Sequence, residues 1–84
     1  MITVWFNNMK LKQGKYQHYK GNFYEVIDEA IDSDTLEEYV IYRGLYDDPK
    51  FGHNHLWIRN KKEFLEKVEI DGKKVDRYKF VDDM

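Results

Sequence analysis

Phe23-Tyr24-Glu25-Val26-Ile27-Asp28-Glu29-Ala30-Ile31 supports two conformations, and the choice between them decides the fold. Phe23, Ile27, Ala30 and Ile31 stand at i, i+4, i+7 and i+8, which is the spacing of one helical face. Tyr24, Val26 and Ala30 instead alternate around Asp28 as in a strand, whose side chains point to opposite faces in turn. Downstream, Thr35 with Glu38 has the form of a helix capping box. The block that follows, Tyr39-Val40-Ile41-Tyr42, is β-branched and aromatic and prefers a strand. Periodicity alone does not settle residues 22–31.

The surroundings favour β structure. Residues 2–6, rich in β-branched and aromatic side chains, read as a short strand. Asn7-Asn8, Gln13-Gly14, Lys20-Gly21-Asn22 and Asp32-Ser33-Asp34 are turn signals, and Asp47-Asp48-Pro49-Lys50-Phe51-Gly52 is the longest loop. Asp71-Gly72 is the clearest turn. It lies between Val68-Glu69-Ile70 and the alternating Tyr78-Lys79-Phe80 and predicts a tight type I′ hairpin. Asn60-Lys61-Lys62-Glu63 has the pattern of a helix start, which predicts at most one short helix near residues 61–67.

Eighty-four residues make a single domain. A chain this short buries only about 60 to 65 % of its unfolded surface. No cysteine is present, so neither disulfides nor cysteine-based metal frameworks can reinforce it. Aromatic residues make up 17 % of the chain, and each buried ring removes roughly 150 to 250 Å² from water, so a small core suffices. No apolar run reaches the roughly 18 residues of a membrane span. The first residues lack a basic region and a cleavage site, so they are not read as a signal peptide. With the absent cysteine, this points to the cytoplasm, with no membrane partner.

The net charge of −2 argues against a dedicated nucleic-acid binder. Its distribution is uneven. Lys10, Lys12, Lys15 and Lys20 fall in residues 1–24 with no acid, and seven acids fall in residues 25–42 with no base. Such blocks either neutralise one another across a sheet or polarise a surface toward a charged partner.

Three segments stand out: Tyr16-Gln17-His18-Tyr19-Lys20-Gly21-Asn22-Phe23-Tyr24-Glu25-Val26, Tyr42-Arg43-Gly44-Leu45-Tyr46 and Leu56-Trp57-Ile58-Arg59. With Ser33, Thr35, Glu37, Phe64, Glu66, Val68 and Gly72, they resemble a bacterial family known as domain of unknown function 1653, over about residues 14–80. Residues 1–12 are then an N-terminal extension. The chain departs from the family pattern at Asp32, Asn60 and Asp76, where the family often has His, Pro and Pro, and its loop over residues 47–55 is longer. The resemblance implies a small, strongly bent SH3-like β-barrel, makes residues 22–31 a strand, and implies no activity. The expected fold is therefore mainly β, with five or six short strands and a core of Tyr24, Val26, Val40, Leu56, Ile58, Phe64, Val68 and Ile70.

The chemistry the residues offer is limited. His53 and His55 with Asp47 or Asp48 have the donor types of a metal site, but a third ligand would have to come from a loop, so no metal or other cofactor is expected. Ser33, Thr3 and Thr35 have no neighbouring base, and no phosphate loop or zinc motif is present, so no catalytic residue is assigned. In Leu56-Trp57-Ile58-Arg59, alternation puts Leu56 and Ile58 on one face and Trp57 and Arg59 on the other. Either the aliphatic pair is core and Trp57 stands outside, or the reverse holds. The first choice gives a ligand face of Tyr19, Tyr42, Tyr46, Trp57 and Arg59, of the kind that anchors interaction surfaces. The leading expectation is a non-catalytic module gripping a peptide or partner protein. The second is a nucleic-acid binder stacking bases on Tyr16, Tyr19 and His18 among the lysines. A metal-dependent or small-molecule enzyme ranks last.

Overall fold

The structure is a computed structural model that describes residues 10–84. The strand expected at residues 2–6 and the Asn7-Asn8 turn lie outside the described residues. The elements in chain order are β1 (Gly14–His18), β2 (Phe23–Ile31), β3 (Glu38–Gly44), β4 (Asp47–Asp48), β5 (Gly52–His53), β6 (Leu56–Asn60), α1 (Lys61–Leu65), β7 (Lys67–Ile70), β8 (Lys73–Asp76) and β9 (Tyr78–Asp82). The described residues are mainly β with one short helix, as the composition and turn signals predict. Among the described residues, no helix is long and apolar enough to cross a membrane.

Five strands form one antiparallel sheet in the order β6-β3-β2-β1-β9, and β4–β5 and β7–β8 are two separate small hairpins. Among the described residues the sheet bends into a barrel-like form without closing, because β6 and β9 are its two edges and do not pair with each other. The edges still come within a side chain's reach: the Arg59 guanidinium of β6 lies 5.9 Å over the Tyr78 ring of β9. Phe64 of α1 covers this seam. It is 1 % exposed, stacks parallel on Tyr78 at 4.1 Å, and meets Tyr16 and Tyr42 edge-on. Asn60 positions the helix as its N-cap by accepting from the Lys62 and Glu63 backbone N–H groups, which are orphan donors at any helix start.

Residues 23–31 form a strand, and a bulge explains their mixed periodicity. Val26 pairs with Tyr42 and Asp28 with Ile41, so Ile27 is the extra residue. The extra residue shifts the phase of alternation. Val26 faces in before it, and Glu29, opposite Val40, faces in after it. The Thr35–Glu38 pattern caps no helix. Thr35 Oγ1 accepts from the Glu37 N–H, and Asp32 accepts from the Asp34 and Thr35 N–H groups in a tight turn. The Asp71-Gly72 turn is the expected type I′, with φ of 51° and 80°. Its returning strand is β8, not Tyr78-Lys79-Phe80, which belongs to β9 and pairs with β1.

The core consists of Tyr16, Val26, Val40, Tyr42, Phe64 and Tyr78, with Tyr24, Leu11, Trp57 and Phe80 packed against it. Val26, Val40 and Phe64 are as expected. Leu56, Ile58 and Ile70 are not core: they are 54 %, 67 % and 42 % exposed. Ile70 lies on the separate β7–β8 hairpin, and for Leu56 and Ile58 the reason is register. Tyr42 lies opposite Trp57 and Val40 opposite Arg59, and opposite residues in an antiparallel pair share a face. Trp57 and Arg59 therefore face inward and the aliphatic pair faces out. Ile58→Ala should change stability by no more than about 0.5 kcal/mol. Trp57→Ala should cost about 2 kcal/mol or more. Thermal melts of the two variants check this ordering.

The charge blocks meet in part as cross-sheet neutralisation predicts. Lys10 pairs with Asp28 at 3.5 Å, and Lys15 lies opposite Glu25 across β1 and β2. Glu29, turned inward by the bulge, binds Lys61 at 2.8 Å in a largely buried pair.

Candidate functional site

Each strand of the main sheet sends one polar or aromatic side chain to a common cluster on the concave side. These are His18 from β1, Tyr24 from β2, Tyr42 from β3, Arg59 from β6 and Tyr78 from β9. The Tyr42 and Tyr78 hydroxyls lie 3.1 Å apart, and Arg59 Nε donates to the Tyr42 hydroxyl at 3.3 Å. The rings of Tyr24, Tyr42 and Tyr78 meet edge-on at 5.4 to 5.5 Å, a favourable arrangement for aromatic quadrupoles. Tyr46 joins through its hydroxyl, 3.3 Å from that of Tyr24. Gly44 makes this possible: a Cβ there would fall 2.6 Å from the Tyr46 ring.

The electrostatics follow from burial and from the basic neighbours. Burial raises the Tyr24 and Tyr78 hydroxyls above the usual tyrosine range, reinforced by their bonds to Tyr46 and Tyr42. Both therefore stay neutral and keep their protons for hydrogen bonding. His18 is lowered, first by burial and then by Arg59, Lys20 and Arg77. Its Nδ1 accepts from the Lys20 backbone N–H, which leaves the ring proton on Nε2. The Tyr42 hydroxyl bond holds Arg59 above its ordinary value.

The expected ligand residues fall into three groups. Tyr42 and Arg59 are in direct contact, and Tyr46 is one ring away through Tyr24. Tyr42 is 3 % exposed and forms the floor of the cluster rather than an outer face. Trp57 sits opposite Tyr42 but turns to a second ring cluster, 4.1 Å from His55 and 5.6 Å from Phe51. Trp57 Nε1 and His55 Nε2 are buried without a hydrogen-bond partner among the described residues. Tyr19 is 37 % exposed on the β1–β2 turn and reaches the cluster through the His18 ring, 4.6 Å away. Tyr16 is 4 % exposed, so it offers no face for stacking a base.

Sequence reasoning left Tyr78 and His18 out of the ligand face and read Tyr24 only as core. The alternation Tyr78-Lys79-Phe80 gives Tyr78 a defined face, but only pairing with β1 shows that it is the face of His18. In the loop, His53 bonds Asp47. Among the described residues, no group of three or more His, Asp or Glu is placed to hold a metal ion.

A family model described as Protein of unknown function (DUF1653) matches residues 14–80. The chain belongs to this family. A crystal structure of a family protein from Bordetella bronchiseptica superposes with a TM-score of 0.77 at 26 % identity, covering 88 % of this chain and 91 % of that one. No curated protein matches the chain. The family match spans every strand that contributes to the cluster, apart from the last residues of β9.

Proposed function

We propose that the protein is a non-catalytic cytoplasmic binding module that grips a peptide or a partner-protein segment at the aromatic and basic cluster around Arg59. One observation carries this reading: the cluster has more donors than acceptors. Tyr42 and Tyr78 have two hydroxyl protons and share one hydroxyl–hydroxyl bond, so one proton is left over whichever way that bond points. Arg59 commits Nε to Tyr42, and its nearest carboxylate, Glu63, is 4.0 Å away. A guanidinium presents five N–H groups, and its planar edge suits a carboxylate or carbonyl oxygen. Tyr19 and Tyr46 at the rim would supply apolar area at low entropy cost.

The test is capture of partners from lysate by wild-type protein and by Arg59→Gln, with circular dichroism confirming the fold. Loss of a guanidinium anchor of this kind typically costs about 2 kcal/mol or more in binding. The captured partners should therefore be lost from Arg59→Gln. Tyr19→Ala, which removes an exposed ring without opening the core, should weaken capture as well. Folded variants that both keep every partner would overturn the reading. Capture that collapses steeply with salt and yields nucleic acid would favour the phosphate-binding alternative.

A further inference from the structure

A second surface borders the cluster at His18 and Tyr19. The β1–β2 turn, Lys79 of β9 and the β7–β8 hairpin flank an open groove of about 790 Å³. Its walls carry Lys20, Lys67, Lys74 and Lys79 against a single acid, Asp76, which Lys67 binds at 2.7 Å. Among the described residues, Lys20, Lys74 and Lys79 form no ion pair. This concentration of unpaired positive charge stands in a chain whose net charge is −2. Tyr19, Ile70 and Val75 also line the groove and are 37 %, 42 % and 37 % exposed. Exposed aliphatic side chains inside a basic groove gain nothing from water and would gain from a partner's apolar side chains.

We infer that this groove is the docking site for an acidic, aliphatic-containing segment of a partner protein. The inference rests on reading the protein as a binding module, and it names the chemistry of the ligand. Lys20, Lys74 and Lys79 take the carboxylates of the segment, and Ile70 and Val75 take its aliphatic side chains. The segment continues past Tyr19 and His18 toward Arg59. Nucleic acid fits less well. Strand binders without sequence preference stack successive bases on several exposed rings, and this groove offers only Tyr19 with the His18 ring packed against it. Ile70 and Val75, which also line it, offer nothing to a phosphate backbone.

The experiment titrates ¹⁵N-labelled protein with three probes, followed by NMR. The probes are a short peptide alternating glutamate and leucine, the same peptide with glutamine for glutamate, and a short oligothymidylate. The glutamate peptide should bind saturably and shift the amides of the β1–β2 turn and the β7–β8 hairpin. The triple variant Lys20→Gln/Lys74→Gln/Lys79→Gln changes only exposed side chains and should weaken that binding about tenfold or more. The glutamine peptide should not bind measurably. Equal binding of the two peptides, an unaffected triple variant, or tighter binding of the oligothymidylate would each overturn the inference. Arg59→Gln separates the two sites. Peptide binding that survives Arg59→Gln but not the triple variant leaves the groove standing and removes the Arg59 reading. The reverse pattern removes the groove.

Discussion

Phe64→Ala should lower the melting temperature by roughly 12 °C or more, the largest loss expected from a single truncation in this protein. Phe64 is 1 % exposed and touches Tyr16, Tyr42 and Tyr78 from a helix of only five residues. Truncating a buried Phe costs about 3 to 5 kcal/mol. In a domain of this size, each kcal/mol shifts the melting temperature by about 4 to 8 °C. The effect belongs at the upper end because no backbone hydrogen bonds span the seam between β6 and β9. Phe64 is what fills it. Leu65→Ala on the same helix is the control: Leu65 is 55 % exposed and its loss should move the melting temperature by a few degrees at most. Equal effects of the two variants in a thermal melt would show that α1 does not seal the barrel.

Gly14→Ala should destabilise by about 2 to 6 kcal/mol, through two separable causes. Gly14 has φ of +134°, a backbone conformation nearly restricted to glycine. A Cβ would also stand 2.6 Å from the Asp82 carbonyl oxygen of β9 and 3.2 Å from the Phe80 ring. Strain of this kind costs of order 1 to 3 kcal/mol, and forced overpacking about as much again. Gly21 isolates the first cause, because its φ is +114° but nothing lies within 4 Å of its Cβ position. Urea denaturation of both variants should therefore find Gly14→Ala clearly the worse. Comparable losses would show that β9 yields to the methyl group.

Local chemistry made most of the fold legible and long-range register made the rest illegible. The Asp71-Gly72 turn and the Asn60 cap were readable because their causes lie within a few residues. Residues 23–31 were ambiguous because the bulge at Ile27 mixes two phases of alternation, and a broken period of two resembles a helical period over nine residues. Leu56-Trp57-Ile58-Arg59 gave its alternation but not its sense. Both faces contain large apolar groups, and only the pairing of Tyr42 with Trp57 sets which one is buried. The candidate site divides the same way. Arg59, Tyr42 and Tyr46 were singled out from β3, β6 and the residues just after β3, which are near neighbours in the chain. His18 and Tyr78 enter only through the pairing of β1 with β9, which no local pattern announces.

That pairing also governs how the chain acquires its structure on the ribosome. β2, β3 and β6 can form their antiparallel ladder as they emerge, since each neighbour follows shortly after the last. β1 gains its second neighbour only when residues 78–82 are free, because Tyr16 lies opposite Phe80. At about 5 to 20 residues per second, translation leaves roughly 3 to 13 seconds between those two positions. Once Tyr42 has been made, Tyr16, Val26 and Tyr42 form one side of a hydrophobic surface whose other side, Tyr78, is still missing. The nascent polypeptide is most exposed to misassociation in that interval, and a chaperone would have most reason to engage it before the last strand closes over Tyr16.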